Sequence, residues 1–407
     1  MRLYLTALNP TDAVTHGLLP AAARLGLQPV LLTDQPDAHR AVYVDHPHPP
    51  LAVGPADVRD AGEVAARVLT LAERYGPPEV LLSNSDHLQT ATAQAAELLG
   101  LPGKNWRAAL RCKNKFLTRR ALAAAGLDTV ASVEIGASDE VRDVATELPF
   151  PAVVKPREGV ASEDALLVDD LDQLAAEVAR IRDRRGAVAL VAEEYLAGEL
   201  HTYDTLGDGD RLHHFGSWRT TLGEPPFFIE ARRDWHPRLP EPVEQHLRAQ
   251  LAALGVGFGA CHTEFVIEND QARIIEVNYR LIGDTMDLIC AELLGVDLFA
   301  ELIRLHCGQP LSGDLPDPST VERHARIEYV TARNAGTLTE APPPVSTTLP
   351  GGIRLGHRRL REVGVAAPVH GTNRDYLSVI HAIGPSAAHV DAAVEDFLGA
   401  HRWLVTA

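Results

Sequence analysis

The sequence predicts an α/β protein, and three observations predict it. Strands and helices alternate through the first hundred residues, an acidic two-stranded hairpin occupies residues 261–280, and a Pro-rich stretch at 311–318 separates that region from a smaller β-rich one. Short apolar runs that alternate with helices of this length call for a parallel sheet with helices on its faces.

The first section, residues 1–104, reads in order as a strand at 3–8, a helix at 12–25, a strand at 29–33, a helix at 55–74, a strand at 80–83 and a helix at 86–99. Its first strand-to-helix turn, Asn9-Pro10-Thr11-Asp12, has none of the glycines of the dinucleotide fingerprint, which argues against nicotinamide or flavin. The second section, 105–312, opens with a basic segment and an Ala-rich helix over 104–126. Strands follow at 132–135 and 152–155, then a helix at 170–185 and a strand at 188–194. Runs at 203–206 and 212–217 flank Gly-Asp-Gly-Asp, a hairpin turn. A helix at 237–255 leads to the acidic hairpin, and 284–306 is helical. The third section, 313–407, is β-rich from 322–330 onward and closes on a helix at 386–400.

Composition narrows the function. Hydrophobic residues are 45% and charged residues 23% of 407, ordinary values for a globular protein. The formal net charge of −17 is the wrong sign for wrapping nucleic acid. The opening MRLYLTALNP is too short for a signal h-region, and no apolar run reaches membrane-spanning length. Four cysteines without a C-x-x-C pair indicate neither zinc nor a disulfide framework, so reduced thiols in a cytoplasmic protein are expected.

The hairpin carries the chemistry. With its turn at 268–271, Phe265, Ile267, Ile275 and Val277 share one face, and His262, Glu264, Glu276, Asn278 and Arg280 share the other. Glu264 then lies opposite Glu276, and like charges facing each other across strands repel. A hard cation between them removes that cost, and Mg²⁺ binds through one or two carboxylates plus substrate phosphates; the alternative is a hydrated acidic face. Upstream, Phe150–Pro156 (FPAVVKP) is a buried-type strand ending in Lys155, a charge that calls for an anion. The loop 157–164 (REGVASED) follows, and backbone N–H groups of such loops make anion-binding concavities. The run 191–199 (VAEEYLAGE) joins paired acids to an apolar Tyr195-Leu196, as a purine edge would.

In this order these features resemble the ATP-grasp superfamily, in its carboxylate–amine (amino-acid) ligase branch. The resemblance runs from the basic segment near Lys113 to about Cys307 and rests on a first Lys, a strand-end Lys 40 residues on, a paired-acid hinge and E-x11-E-x-N-x-R. It implies an ATP-grasp fold with an N-terminal parallel α/β domain, a lid subdomain at about 151–197 and a C-terminal α+β lobe. Lys115, with Lys113 as rival, matches the first nucleotide-binding lysine, and Lys155 the second, which contacts phosphates. Glu193, Glu194, Tyr195 and Leu196 match the adenine hinge, Ser162 the phosphate loop, and Glu199 stands one residue early for the ribose acid. Glu264, Glu276 and Asn278 match ligands of Mg²⁺ (two ions, with Mn²⁺ an alternative), and Arg280 the residue that stabilises the transferred phosphoryl group. The loop departs from the family pattern, keeping only Gly159 and Ser162 and adding Glu163 and Asp164.

The implied reaction joins a small-molecule carboxylate to an amine through an acyl phosphate, with ATP giving ADP and phosphate. Carboxylation with bicarbonate and a non-catalytic nucleotide-binding module are the other readings, and a homodimer is the commonest assembly open to such a chain. Arg219, Arg232, Arg233 and Arg354 are candidate grips on a substrate carboxylate. His201, His213, His214 and His262 are candidates for proton transfer.

Overall fold

The computed structural model describes residues 2–407. Its N-terminal sheet is all parallel, in the order Ala52–Pro55, Gln28–Thr33, Arg2–Thr6, Val80–Ser83. Leu3, Leu5, Val30, Leu32 and Leu82 are buried between flanking helices, as expected of strands apolar on both faces. The first strand of this order and the helix Pro36–Tyr43 were not legible as separate elements, because Ala52-Val53-Gly54-Pro55 carries little β signal. The helix expected from residue 55 begins at Ala61, where Asp60 accepts from Glu63 N at 2.7 Å as its cap. The loops after Arg2–Thr6 and Val80–Ser83 leave the carboxyl ends of their strands, where ligands of open parallel sheets bind.

Two short helices cross to the next section. Asn105 caps Trp106–Lys113, and Asn114 caps Lys115–Ala124 by accepting from Leu117 N at 3.1 Å, which sets Lys115 at the first helical position. A four-stranded antiparallel sheet then runs Ser132–Ile135, Leu190–Glu194, Ala152–Pro156, Leu166–Val168, with helix Leu171–Arg185 packed on it through Leu174, Val178 and Ile181.

The largest sheet has ten antiparallel strands. It begins with Gln271–Asn278, Phe258–Glu268 and Leu200–Asp208, passes through Trp218–Leu222 and Glu230–Trp235, and continues into His324–Thr331, Tyr376–Gly384, Ile353–Arg359 and Val345–Leu349; Leu212–Gly216 pairs beside Leu200–Asp208. Arg233 stands opposite Ile327, so residues after 312 continue the sheet rather than forming a detached lobe. The helical stretch after the hairpin is two helices, Met286–Leu294 and Leu298–His306, broken where Gly295 takes a left-handed φ of 67°. Helix Ala387–Ala400 does not end the ordered chain: Leu404–Thr406 pairs with Gly336–Glu340 in a small third-section sheet.

Candidate active site

The hairpin forms by alternation and turn chemistry. Asn269 and Asp270, at φ 50° and 59°, make the tight turn that asparagine and aspartate tolerate, and Glu268 pairs with Gln271. Glu264 stands opposite Glu276, as expected. Between Glu264 and Phe265 the register slips by one, so Phe265 pairs with Ile274. This bulge corrects the sequence reading of one face. Ile274, Phe265 and Val277 enter the core, while Ile275, the extra residue, joins Glu276, Glu264 and Val266 on a cavity wall. The strand ends at Asn278, which leaves Arg280 beyond it.

The cavity lies between the hairpin and the four-stranded sheet. Its charged lining comprises Lys115, Arg119, Lys155, Glu163, Glu193, Glu194, Glu230, Glu264 and Glu276; Tyr195, Leu196, Leu200, Phe228, Val266 and Ile275 supply apolar walls. Lys115 Nζ is 2.9 Å from Glu276 Oε1 and donates to Gly159 O at 3.2 Å. Lys155 Nζ is 2.8 Å from Glu193 Oε2, and Arg119 donates to both Glu193 oxygens at 2.8 and 3.1 Å. Burial pushes the Glu193 carboxyl up, but Arg119 and Lys155 outweigh it and hold the group well below the ordinary carboxylate range. Burial pulls the Lys155 ammonium down, only partly offset by Glu193. Burial also pulls Lys115 down, but Glu276 outweighs it, so its pKa is raised.

The structure sorts the expected site residues. Lys115 lines the cavity, whereas its rival Lys113 pairs with Asp86 away from it. Lys155, Glu193, Glu194, Tyr195 and Leu196 line it, but both hinge carboxylates are held by protein partners, Glu194 by Arg273 at 3.0 Å and Ala131 N at 3.2 Å. Ser162 lines it with its hydroxyl donating to Phe228 O at 2.8 Å. Glu199 is not brought in: Gly198 and Leu200 line the cavity, and alternation turns the 67% exposed Glu199 outward toward Arg219. Asn278 is buried opposite His262 in the same hairpin and does not line the cavity.

His262 sits behind Glu264, its Nδ1 2.7 Å from Asp204 and its Nε2 3.3 Å from Glu264. Burial lowers its pKa, but Asp204 and Glu264 outweigh that and raise it to about 9, so it stands as an imidazolium and is unsuited to accept a proton. His213 and His214 lie apart, near Pro316 and Ser217. Burial lowers His201 to about 4.

A second cavity meets the first at Val160. Loops from four regions line it: 6–14 and 84–87 from the parallel sheet, Val160–Ala161 from the phosphate loop, Arg280–Asp284, and Arg358, Asn373, Arg374 and Tyr376 from the third section. Arg280 is held by Leu281 O and Ile282 O at 2.8 and 2.7 Å and lies 3.6 Å from Asp86. The arginines expected to grip substrate are committed elsewhere: Arg232 to Asp234 and Asp391, Arg233 to Glu230, Arg354 to Glu292, while Arg219 lies near Glu199. Arg358 and Arg374 line the second cavity instead, paired with Asp12 and Glu163. Arg119 had a sequence signal, four residues after Lys115 on one helix face; Arg358 and Arg374 had none, since only the continued sheet brings them in.

Among the described residues no three His, Cys, Asp or Glu side chains converge as an all-protein metal cage. The two opposed carboxylates of Glu264 and Glu276 are instead hard oxygen donors of the kind Mg²⁺ completes with water and phosphate, and Asn278 follows Glu276 by two residues on the same strand. No helix is long and apolar enough to cross a membrane among the described residues.

A cavity with two buried lysines and two facing carboxylates thus lies between the hairpin and the small four-stranded sheet. Residues 112–284 match the family of ATP-grasp domains. The chain is 24% identical to the uncharacterized protein y4rH of Sinorhizobium fredii, over 100% of this chain and 84% of that one. It is 27% identical to human carnosine synthase 1 over 55% of this chain, and the match spans 30% of that enzyme's length. In fold it resembles the L-amino acid ligase from Bacillus licheniformis, with a TM-score of 0.79 at 19% identity, covering 100% of this chain and 99% of that one.

Proposed function

We propose that the chain is an ATP-dependent carboxylate–amine ligase that forms an amide or peptide bond through an acyl phosphate, releases ADP and phosphate, and acts on an amino acid or small polycarboxylate in peptide or natural-product biosynthesis. One juxtaposition carries the reading. The cavity holding Lys115, Lys155, Glu264 and Glu276 shares Val160 of its wall with the cavity lined by Arg280. The likeness to proteins named carnosine synthase and L-amino acid ligase supports the substrate class.

Glu264, Glu276 and Asn278 would hold Mg²⁺, which when bound supplies charge neutralisation to the phosphates. Two ions, or Mn²⁺ in their place, suit the same donors. Lys115 and Lys155 exchange their carboxylate partners for phosphate oxygens, so each buried cation stays paired throughout. Tyr195, Leu196 and Phe228 enclose the adenine. The imidazolium of His262 keeps Glu264 ionised and oriented. Arg280 stabilises the charge on the transferred phosphoryl group at the junction of the two cavities. The sheet and loop of the lid, about 151–197, exclude water and so protect the acyl phosphate from hydrolysis. The amine then attacks the acyl carbon, and phosphate leaves.

Product analysis tests the reading. Purified protein with ATP and Mg²⁺ is incubated with pooled amino acids and small di- and tricarboxylates. ADP and phosphate forming only with a substrate pool is the expected result; AMP and pyrophosphate would overturn it.

A further inference from the structure

The loop that departs most from the family pattern is also the most heavily tied. Ala161, Ser162 and Asp164 take left-handed φ of 56°, 55° and 54°, a conformation non-glycine residues adopt when their surroundings impose it. The ties are visible. Glu163 is shared by Arg185, at 3.0 Å, and Arg374, and Asp164 is clasped by Arg184 and Arg185. Ala161 O accepts from Asn373 N at 3.3 Å. Asp164 thus stays off the cavity wall, while Glu163 lines the cavity with its charge met by Arg185 and Arg374.

Two of these ties reach across to the third section, and the turn they reach is rigid. The Asp375 carboxylate, fully buried, accepts from His370 N, Gly371 N and Thr372 N at 3.0, 2.6 and 3.1 Å. A Cβ at Gly371 would lie 2.4 Å from the Phe227 ring, which fixes the turn against the strand bridge between Phe227 and Leu166. Asn373 also exchanges two hydrogen bonds with Glu230, on the cavity wall, at 3.1 and 3.2 Å.

We propose that the turn at residues 370–375 anchors the phosphate loop, with Arg374 and Asn373 as positioning residues that preset the loop where relatives use glycine flexibility. The role rests on the reading that the first cavity holds ATP. Arg374 lines the second cavity as well, so the anchor sits where both cavities meet the loop.

Hydrogen exchange of peptides covering 157–166 in the full chain, without nucleotide, tests the anchor apart from that reading. The Arg374 side chain is 64% exposed, so its removal leaves the fold intact. Wild-type loop amides are expected to be protected, and Arg374→Ala to raise their exchange up to about fivefold, the range of a partly exposed ion pair. Glu163→Gln should raise exchange at least as much, since it also releases Arg185, and adding Arg374→Ala to it should change little, because the Arg374 pair is already gone. Arg374→Lys should restore most of the protection. Calorimetric affinity for ADP with Mg²⁺ should fall with the loss of protection, and KM for ATP should rise more than kcat falls. Unchanged exchange in Arg374→Ala, additive effects of the two variants, or raised exchange with unchanged ADP affinity would each overturn the anchor. Wild-type protein that binds no ADP would overturn the ATP reading and the positioning role with it, whatever the loop exchange shows.

Discussion

The two cavities that meet at Val160 treat buried charge in opposite ways. In the first, every fully buried carboxylate has a cation: Glu193 has Arg119 and Lys155, and these partners hold it ionised. Behind the second, Asp287 is fully buried with one oxygen accepting from its neighbour Leu288 N at 2.9 Å and the other without a partner. Burial pushes its pKa up to about 7, and the charges it feels most are Asp284, Arg280 and Asp12 on that cavity's wall. The first cavity is built from strands, one capped helix and the loop 157–165, all within the stretch that matches the ATP-grasp domain, and each of its carboxylates has a cationic partner. The second is assembled from loops of four regions. On the proposed function, the preset pairs of the first cavity belong to nucleotide binding, and the loops of the second, which can change without disturbing those pairs, belong to substrate choice.

The comparison breaks first at Glu276. Glu276→Gln removes one of two opposed carboxylates and leaves Lys115 buried without its partner. ADP formation is expected to fall at least about 10²-fold, since even residues that merely support metal ligands cost 10–100-fold. The Mg²⁺ concentration needed for half-maximal rate should rise in parallel. A rate within tenfold of wild type at saturating Mg²⁺ would show that the carboxylate pair is not the metal-binding part of the site.

Arg280→Ala separates the cavities. Because Arg280 lines the second and not the first, kcat is expected to drop roughly 10²-fold, as for loss of one charge-stabilising donor, while calorimetric affinity for ADP with Mg²⁺ stays within about threefold. An equal loss of ADP affinity would place Arg280 in nucleotide binding and erase the distinction drawn here.

This division also explains what the sequence made legible. The hairpin could be read because alternation and a turn put Glu264 opposite Glu276 without reference to the rest of the chain. Its bulge could not, since an extra residue such as Ile275 leaves no trace in an apolar run of Ile-Ile. Lys155 was legible from its place at a strand end and Lys115 only through the family resemblance, while the pairing of Arg119 and Lys155 on Glu193 joins a helix and two strands that the sequence does not bring together. In the second cavity almost nothing was legible. Asp12 and Arg358 are 346 residues apart and form an ion pair there, and only the continuation of one sheet past residue 312 brings them together. The arginines singled out from sequence, Arg232 and Arg233, sit on the strand where that continuation starts, and their acids are near neighbours, Asp234 and Glu230.

The smallest effect sharpens the contrast most directly, because it concerns stability and not turnover. Asp287 has a folded pKa of about 7 against an ordinary 3.8. A raised carboxyl favours the fold fully below its unfolded pKa, and that contribution is lost as pH rises through the folded value. Wild-type protein should therefore lose stability between about pH 4 and 7 through this group, with its charged form strained above that range. Asp287→Asn replaces the carboxyl by a neutral amide of the same shape and removes the slope. Its Tm should match wild type near pH 4, pull ahead as the pH rises, and exceed it by about 2–5 °C at pH 8, the size expected when one buried charge is relieved in a chain of this length. A Tm difference that does not change with pH would mean that Asp287 stays ionised at a cation this comparison denies it, and the second cavity would then handle its charge as the first does.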